Sequence, residues 1–200
     1  MPINIPSFII GYHGCDEDLA EEVLAGKIPL KLSSNKYDWL GGGIYFWENN
    51  PHRAYQWAVE HVGKTTANIK KPYAIGAIID PGHCLDLTET TSLKLIKDTH
   101  KFLEQTYTSQ GLTLPKNEGV GTADNDLLKR NLDCFVINAL HEIRANANLS
   151  AFDSIRSPFF EGKRIYDTSG FHEKAHIQIC VRKPHSIVGY FRILEKDVFK

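Results

Sequence analysis

Trp39-Leu40-Gly41-Gly42-Gly43-Ile44-Tyr45-Phe46-Trp47-Glu48 is the stretch around which the rest of this 200-residue chain can be read. Three glycines feed a run of aromatic and β-branched residues, which predicts a mobile turn followed by a strand over 44–47. The run lacks the Gly-Lys-Ser/Thr ending of a phosphate loop, which argues against a nucleoside triphosphate cradle. By the two-residue strand period, Tyr45 and Trp47 share one face and Phe46 points to the other. A Tyr and a Trp beside glycines make a stacking platform for a flat heterocycle, although the same rings would equally serve a plain core.

Outward from there, Asn50-Pro51 supplies a cap and a first-turn proline. A helix is expected through Ala54, Tyr55, Trp57 and Ala58 to Val62-Gly63. Upstream, Phe8–Ile10 reads as a buried strand ending at Gly11-Tyr12-His13-Gly14. Asp16-Glu17-Asp18 then opens a helix carrying Leu19, Ala20, Val23 and Leu24, closed by Gly26. Downstream, the pattern gives a strand over 73–79, an extended piece over 84–87 and a helix over 93–107. A loop over 110–123 and a long helix over 124–147 follow. Residues 153–162 are expected as a loop. Strands follow over 175–182 and 186–194, joined by Lys183-Pro184-His185. The order is α+β rather than a regular parallel α/β repeat.

The bulk numbers bound the answer. A chain of this length makes one domain with a proper core. Hydrophobic residues at 42% and charged residues at 24% exclude a disordered chain. Lys plus Arg number 23 against 24 for Asp plus Glu, which argues against a generic nucleic-acid coat or membrane-surface binder. Cys15, Cys84, Cys134 and Cys180 are too far apart for a metal knuckle, and the histidines lack the further ligands of a zinc site, so no metal is expected. The start lacks a basic, apolar leader and no run spans a bilayer, so a cytoplasmic protein with reduced thiols is expected.

Three segments place polar and aromatic residues where a plain core would use Val and Leu. Gly11-Tyr12-His13-Gly14 lets a flat ligand approach the backbone beside a histidine; a capped strand-end histidine is the plainer alternative. Gly170-Phe171-His172-Glu173-Lys174 runs into a strand with His176, Gln178 and Cys180 on one face and Ile177, Ile179 and Val181 on the other. The first face suits a cleft, or else the solvent side of an edge strand. Asp153–Gly162 gathers Arg156 with Phe159 and Phe160, which suits a phosphate and a base, while the Lys/Arg content alone suits a solvated face. Adjacent Phe159 and Phe160 cannot both point into one core.

In chain order, the Tyr-His-Gly strand, the Gly-Gly-Gly-Ile-Tyr-Phe-Trp-Glu strand with its Ala-x-x-Trp-Ala helix, and the late His-Ile-Gln-Ile strand resemble the ADP-ribosyltransferase superfamily of the His-Tyr-Glu type. That group includes diphtheria-toxin-like and poly-ADP-ribose-polymerase-like domains. The chain is more similar still to small bacterial proteins of that fold with Gln at the third position. The resemblance runs from Gly11 to about Arg192 on three short motifs, and the middle helices match nothing in it. It implies one domain over 1–200: a split mixed β-sandwich core with flanking helices and a helical insertion at about 90–147.

The resemblance also implies roles. His13 would bind the adenine-side ribose of NAD, Gly14 would offer backbone bonds to the nicotinamide amide, and Tyr45 would stack on the nicotinamide. Gln178 would stand at the position of the catalytic glutamate. Phe171, His172 and Glu173 belong to the loop that would meet the acceptor, while Arg156, read from its own aromatic neighbours, suits either the pyrophosphate of NAD or a nucleic-acid acceptor. A glutamine carries no charge against the oxocarbenium-like centre that forms when NAD is cleaved, so Glu161 or Glu173 could supply the carboxylate. The expected activity is transfer of ADP-ribose from NAD to a protein or nucleic-acid acceptor, as a toxin or defence effector with an antitoxin-like or inhibitory partner. A catalytically weak NAD- or ADP-ribose-binding module is the alternative. A plain interaction domain would instead place His13 and Gln178 far apart.

Overall fold

Ile9–Asp16 forms strand β1 in a computed structural model that describes residues 7–65, 67–119, 127–194 and 198. The strand is longer than its apolar run because His13, Gly14 and Cys15 continue the pairing with the next-but-one strand. Asp16 then caps helix α1 (Glu17–Leu24), its carboxylate accepting from the Asp18 N–H at 3.1 Å. β2 (Ile44–Glu48) precedes α2 (Pro51–Glu60), whose cap is the Asn50 side chain accepting from the Arg53 N–H at 2.9 Å. β3 (Pro72–Ile79), β4 (Cys84–Asp86) and α3 (Thr90–Ser109) follow.

The second half departs more from expectation. The long helix α4 spans Asn131–Asn146, because the chain before it forms β6 (Lys129–Arg130) paired with β5 (Asn117–Glu118). The side chain of Asn117 caps it from outside, accepting from the Leu132 and Asp133 N–H groups at 2.8 and 3.2 Å. The expected start, 124–126, lies outside the described residues. Ser154–Phe159, expected as a loop, is strand β7. It pairs along its whole length with β8 (His176–Val181) and in parallel with β4. β9 (Ile187–Arg192) is the last strand among the described residues and follows a 3-10 turn at Pro184–Ser186.

Seven strands share one hydrogen-bonded order, β4-β7-β8-β2-β1-β3-β9, antiparallel except for β4 with β7. The sheet is not flat. Only five residues separate β8 from β9, which lie four places apart. Flat spacing would need about 19 Å, and a link half wound into a 3-10 turn reaches less than that. The sheet therefore curls, and Phe46, Ile179 and Val181 from one half share a core cluster with Ile75, Ala77 and Ile79 from the other. The opposite face of the β7–β8–β2 half packs Ile155 and Cys180 under Ile137 and Leu140 of α4.

Where a split sandwich is expected, the strands form one continuous hydrogen-bonded sheet, with a narrow join between β1 and β2. β1 pairs all eight of its residues with β3 but only Gly11 and Tyr12 with β2, opposite Glu48 and Trp47. From His13 onward β1 and β2 part. Among the described residues no helix is long and apolar enough to cross a membrane.

Candidate functional site

The parting of β1 and β2 opens a cleft of about 980 Å³. His13 and Gly14 line one side, Tyr45 the other, and Gln178 enters from β8. Three separate strands thus bring residues far apart in sequence to one cleft, whereas a plain interaction domain would place His13 and Gln178 apart.

His13 fills the notch itself. Its Nδ1 lies 2.8 Å from the Tyr45 carbonyl oxygen, beyond the last β1–β2 pair at Tyr12 and Trp47. Burial lowers the imidazole pKa, against the opposing pull of that carbonyl, so the ring is neutral near pH 7. A carbonyl only accepts, so Nδ1 carries the proton and Nε2 keeps its lone pair as an acceptor.

Gly14 is required by packing. A Cβ there would sit 2.2 Å from the Ala54 carbonyl oxygen of α2. The glycine turn is likewise closely packed rather than free. A Cβ on Gly43 would meet the Cys180 sulfur at 2.4 Å, and Gly41 holds φ +76°, which favours glycine. Tyr45 is anchored by this turn: its hydroxyl donates to the Gly41 carbonyl at 2.8 Å and accepts from the Leu40 N–H at 3.0 Å. Burial pushes its pKa upward, so it stays a phenol, and with the hydroxyl engaged the ring is what it offers the cleft.

The alternation expected on β2 holds, since Phe46 packs in one core cluster and Tyr45 and Trp47 on the other face. Trp47, however, is only 4% exposed. It sits against Trp57 at 5.7 Å between ring centres and forms floor rather than an open stacking surface. β8 is a central strand rather than an edge. On its polar face His176 and Cys180 are buried, and Gln178 is half-buried with its Oε1 accepting from the Trp39 indole N–H at 2.6 Å.

One end of the cleft holds a charged cluster that the sequence reading missed. Arg53 is 4% exposed and reaches Glu161 at 2.9 Å and Glu60 at 3.6 Å, and Lys174 meets Glu60 at 2.8 Å. Burial alone would raise the Glu60 pKa, but Lys174 and Arg53 outweigh it and hold it below the usual value. A helical signal existed: Arg53, Trp57, Glu60 and His61 recur at three- and four-residue spacing on one face of α2 and the turn after it, and all line the cleft.

The other expected residues divide. Glu161 lines the cleft, whereas Phe171, His172 and Glu173 do not. They lie on a loop folded on itself by the Arg164–His172 bridge, with Phe171 strongly exposed and the His172 Nδ1 2.9 Å from the Gly162 oxygen. Arg156 is corrected. It pairs in register with Ile179, on the sheet face opposite Gln178, and its guanidinium is engaged by Glu48 at 2.6 and 3.0 Å and Asp86 at 3.1 Å. It does not line the cleft. Phe159, the last residue of β7, is buried against Trp39 and His176, while Phe160 just beyond the strand is exposed, so the two do not share one core.

Among known proteins, the chain is 26% identical over 193 residues to an uncharacterized protein of Methanocaldococcus jannaschii, covering 88% of this chain and 83% of the relative. No family model matches the chain, and no solved structure matches it.

Proposed function

We propose that the chain is an NAD-dependent ADP-ribosyltransferase built on the split-sandwich plan of that superfamily, with the parting of β1 and β2 as the split. The reading rests on one observation above all: His13, Gly14, Tyr45 and Gln178 meet in a single cleft. Its volume of about 980 Å³ is of the size that takes a dinucleotide.

In this reading NAD is the substrate and the chain bends and holds it. The neutral His13 offers Nε2 as an acceptor to a ribose hydroxyl. The Tyr45 ring, fixed by its hydroxyl bonds, stacks on the nicotinamide. Gln178 meets the ribose next to the bond that breaks. Glu161, held by Arg53, is one of the carboxylates lining the cleft and is the one this reading assigns to favour the developing positive charge. Arg156, engaged on the other face, has no part in binding. The 160–174 loop, with exposed Phe160, Tyr166 and Phe171, meets a protein or nucleic-acid acceptor. A toxin or defence role with an inhibitory protein partner, in the cytoplasm, belongs to the same proposal.

The test incubates the pure protein with adenine-labelled NAD and cell extract, with and without nuclease or protease. Label transfer is expected, and its loss under one treatment names the acceptor class. A second reading, a binding module of the same fold, is favoured by the absence of a carboxylate at 178. It predicts NAD or ADP-ribose binding with neither transfer nor nicotinamide release.

A further inference from the structure

We infer that Trp39 is a positioning residue that turns the Gln178 amide so that its NH2 group, not its carbonyl, faces the cleft. The atom of the ligand that docks there is therefore a hydrogen-bond acceptor. The inference rests on the proposed reading for the identity of the ligand, though not for the orientation of the amide.

An indole nitrogen can only donate, so the group 2.6 Å from it must be the Gln178 carbonyl oxygen. The amide is planar, so its NH2 group then points away from Trp39. That nitrogen has no protein hydrogen-bond partner among the described residues, and the side chain lines the cleft. The indole is itself held in place. It packs on Phe159 at 4.8 Å between ring centres, and the Arg130 guanidinium lies over it at 5.4 Å. Arg130 is fixed in turn by Asp133 at 3.2 Å and the Leu127 carbonyl at 2.9 Å.

A free glutamine would present donor or acceptor with equal ease. This one presents donors. A glutamate at the same place would behave differently, because its two oxygens are equivalent: one would accept from Trp39 and the other would face the ligand as an acceptor, whichever way it turned. Trp39 therefore matters for orientation with Gln at 178 and not with Glu.

The experiment follows from that difference. NAD binding is measured by calorimetry on the wild-type protein, Trp39→Phe, Gln178→Glu and the double variant, with thermal denaturation confirming that each is folded. Trp39→Phe is expected to weaken NAD about three- to tenfold when Gln178 is present, and less than twofold in the Gln178→Glu protein. An equal loss in both backgrounds, or none in the first, overturns the inference, because packing by the indole is common to both. The Trp39 indole N–H is also followed by NMR without ligand. It is expected to be shielded from solvent exchange and to lose that shielding in Gln178→Ala; an unchanged exchange rate overturns the contact. If the wild-type protein binds no NAD, the proposed reading falls while the exchange experiment still decides the orientation.

Discussion

Arg53 and Arg156 each hold two carboxylates, yet they do so in regions with opposite relations to the cleft. Arg53, on the α2 face with Trp57 and Glu60, gathers Glu60 and Glu161 at the end of the cavity. Arg156, on β7, ties β2 to β4 through Glu48 and Asp86 on the other face of the sheet. Proximity to aromatics in sequence favours Arg156 as a ligand-binding residue; placement favours Arg53. One residue of register on β7 is the whole difference, because it sends Ser157 and Phe159 to the face of Gln178 and Arg156 to the opposite one.

The largest expected effect is at Arg53. Arg53→Ala would remove a buried guanidinium and leave the partly buried Glu60 and Glu161 with Lys174 as their remaining partner among the described residues. A loss of about 3 kcal/mol or more is expected in urea unfolding, together with loss of NAD binding by calorimetry. An unchanged affinity would remove Arg53 from the binding region. Gly14→Ala comes next. The added methyl has no room against the Ala54 carbonyl, so α2 and Arg53 must shift, at about 1–3 kcal/mol and with weakened NAD binding. Arg156→Ala should cost about 2 kcal/mol from its charged hydrogen bonds and leave NAD affinity within about twofold. A large loss of affinity there would break the distinction between the two regions.

The pH response is smaller and comes from three histidines whose imidazoles burial holds low: His13, His176 and His141, the last at about 4. In each, the unfolded chain takes up a proton before the folded one as pH falls. Stability is therefore full above about 6.5 and declines from there toward pH 4. Thermal denaturation across that window should show a falling Tm, and His141→Leu should flatten part of the slope.

Much of the cleft's first half was legible because its signals are local. The alternation at 44–47 and the Asn50-Pro51 cap each act within a few residues, and each appears as expected in β2 and α2, whereas the glycine turn read as mobile is closely packed. What was not legible depends on partners far away. β7 reads as a loop because Arg156, Ser157 and Pro158 are poor strand formers, and the pairing with β4 and β8 overrides that preference. The start of α4 is set by Asn117, which sits 15 and 16 residues upstream of the N–H groups it caps. In the site, His13, Tyr45 and Gln178 could be named from motifs. Arg53 and Glu60 carried only a helical spacing, and Trp39 no signal of its role, because their meaning comes from the contacts with Glu161, Lys174 and Gln178 that folding creates.

The central claim is that the parting of β1 and β2 holds NAD for cleavage with Gln178 at the reacting bond. Nicotinamide release from NAD, measured on the wild-type protein, Gln178→Ala and Gln178→Glu in the presence of extract, tests it most directly. The account predicts release by the wild type, its abolition in Gln178→Ala, and equal or greater release in Gln178→Glu. Undiminished release by a folded Gln178→Ala protein would contradict the role given to Gln178, and neither release nor NAD binding by the wild type would contradict the account as a whole.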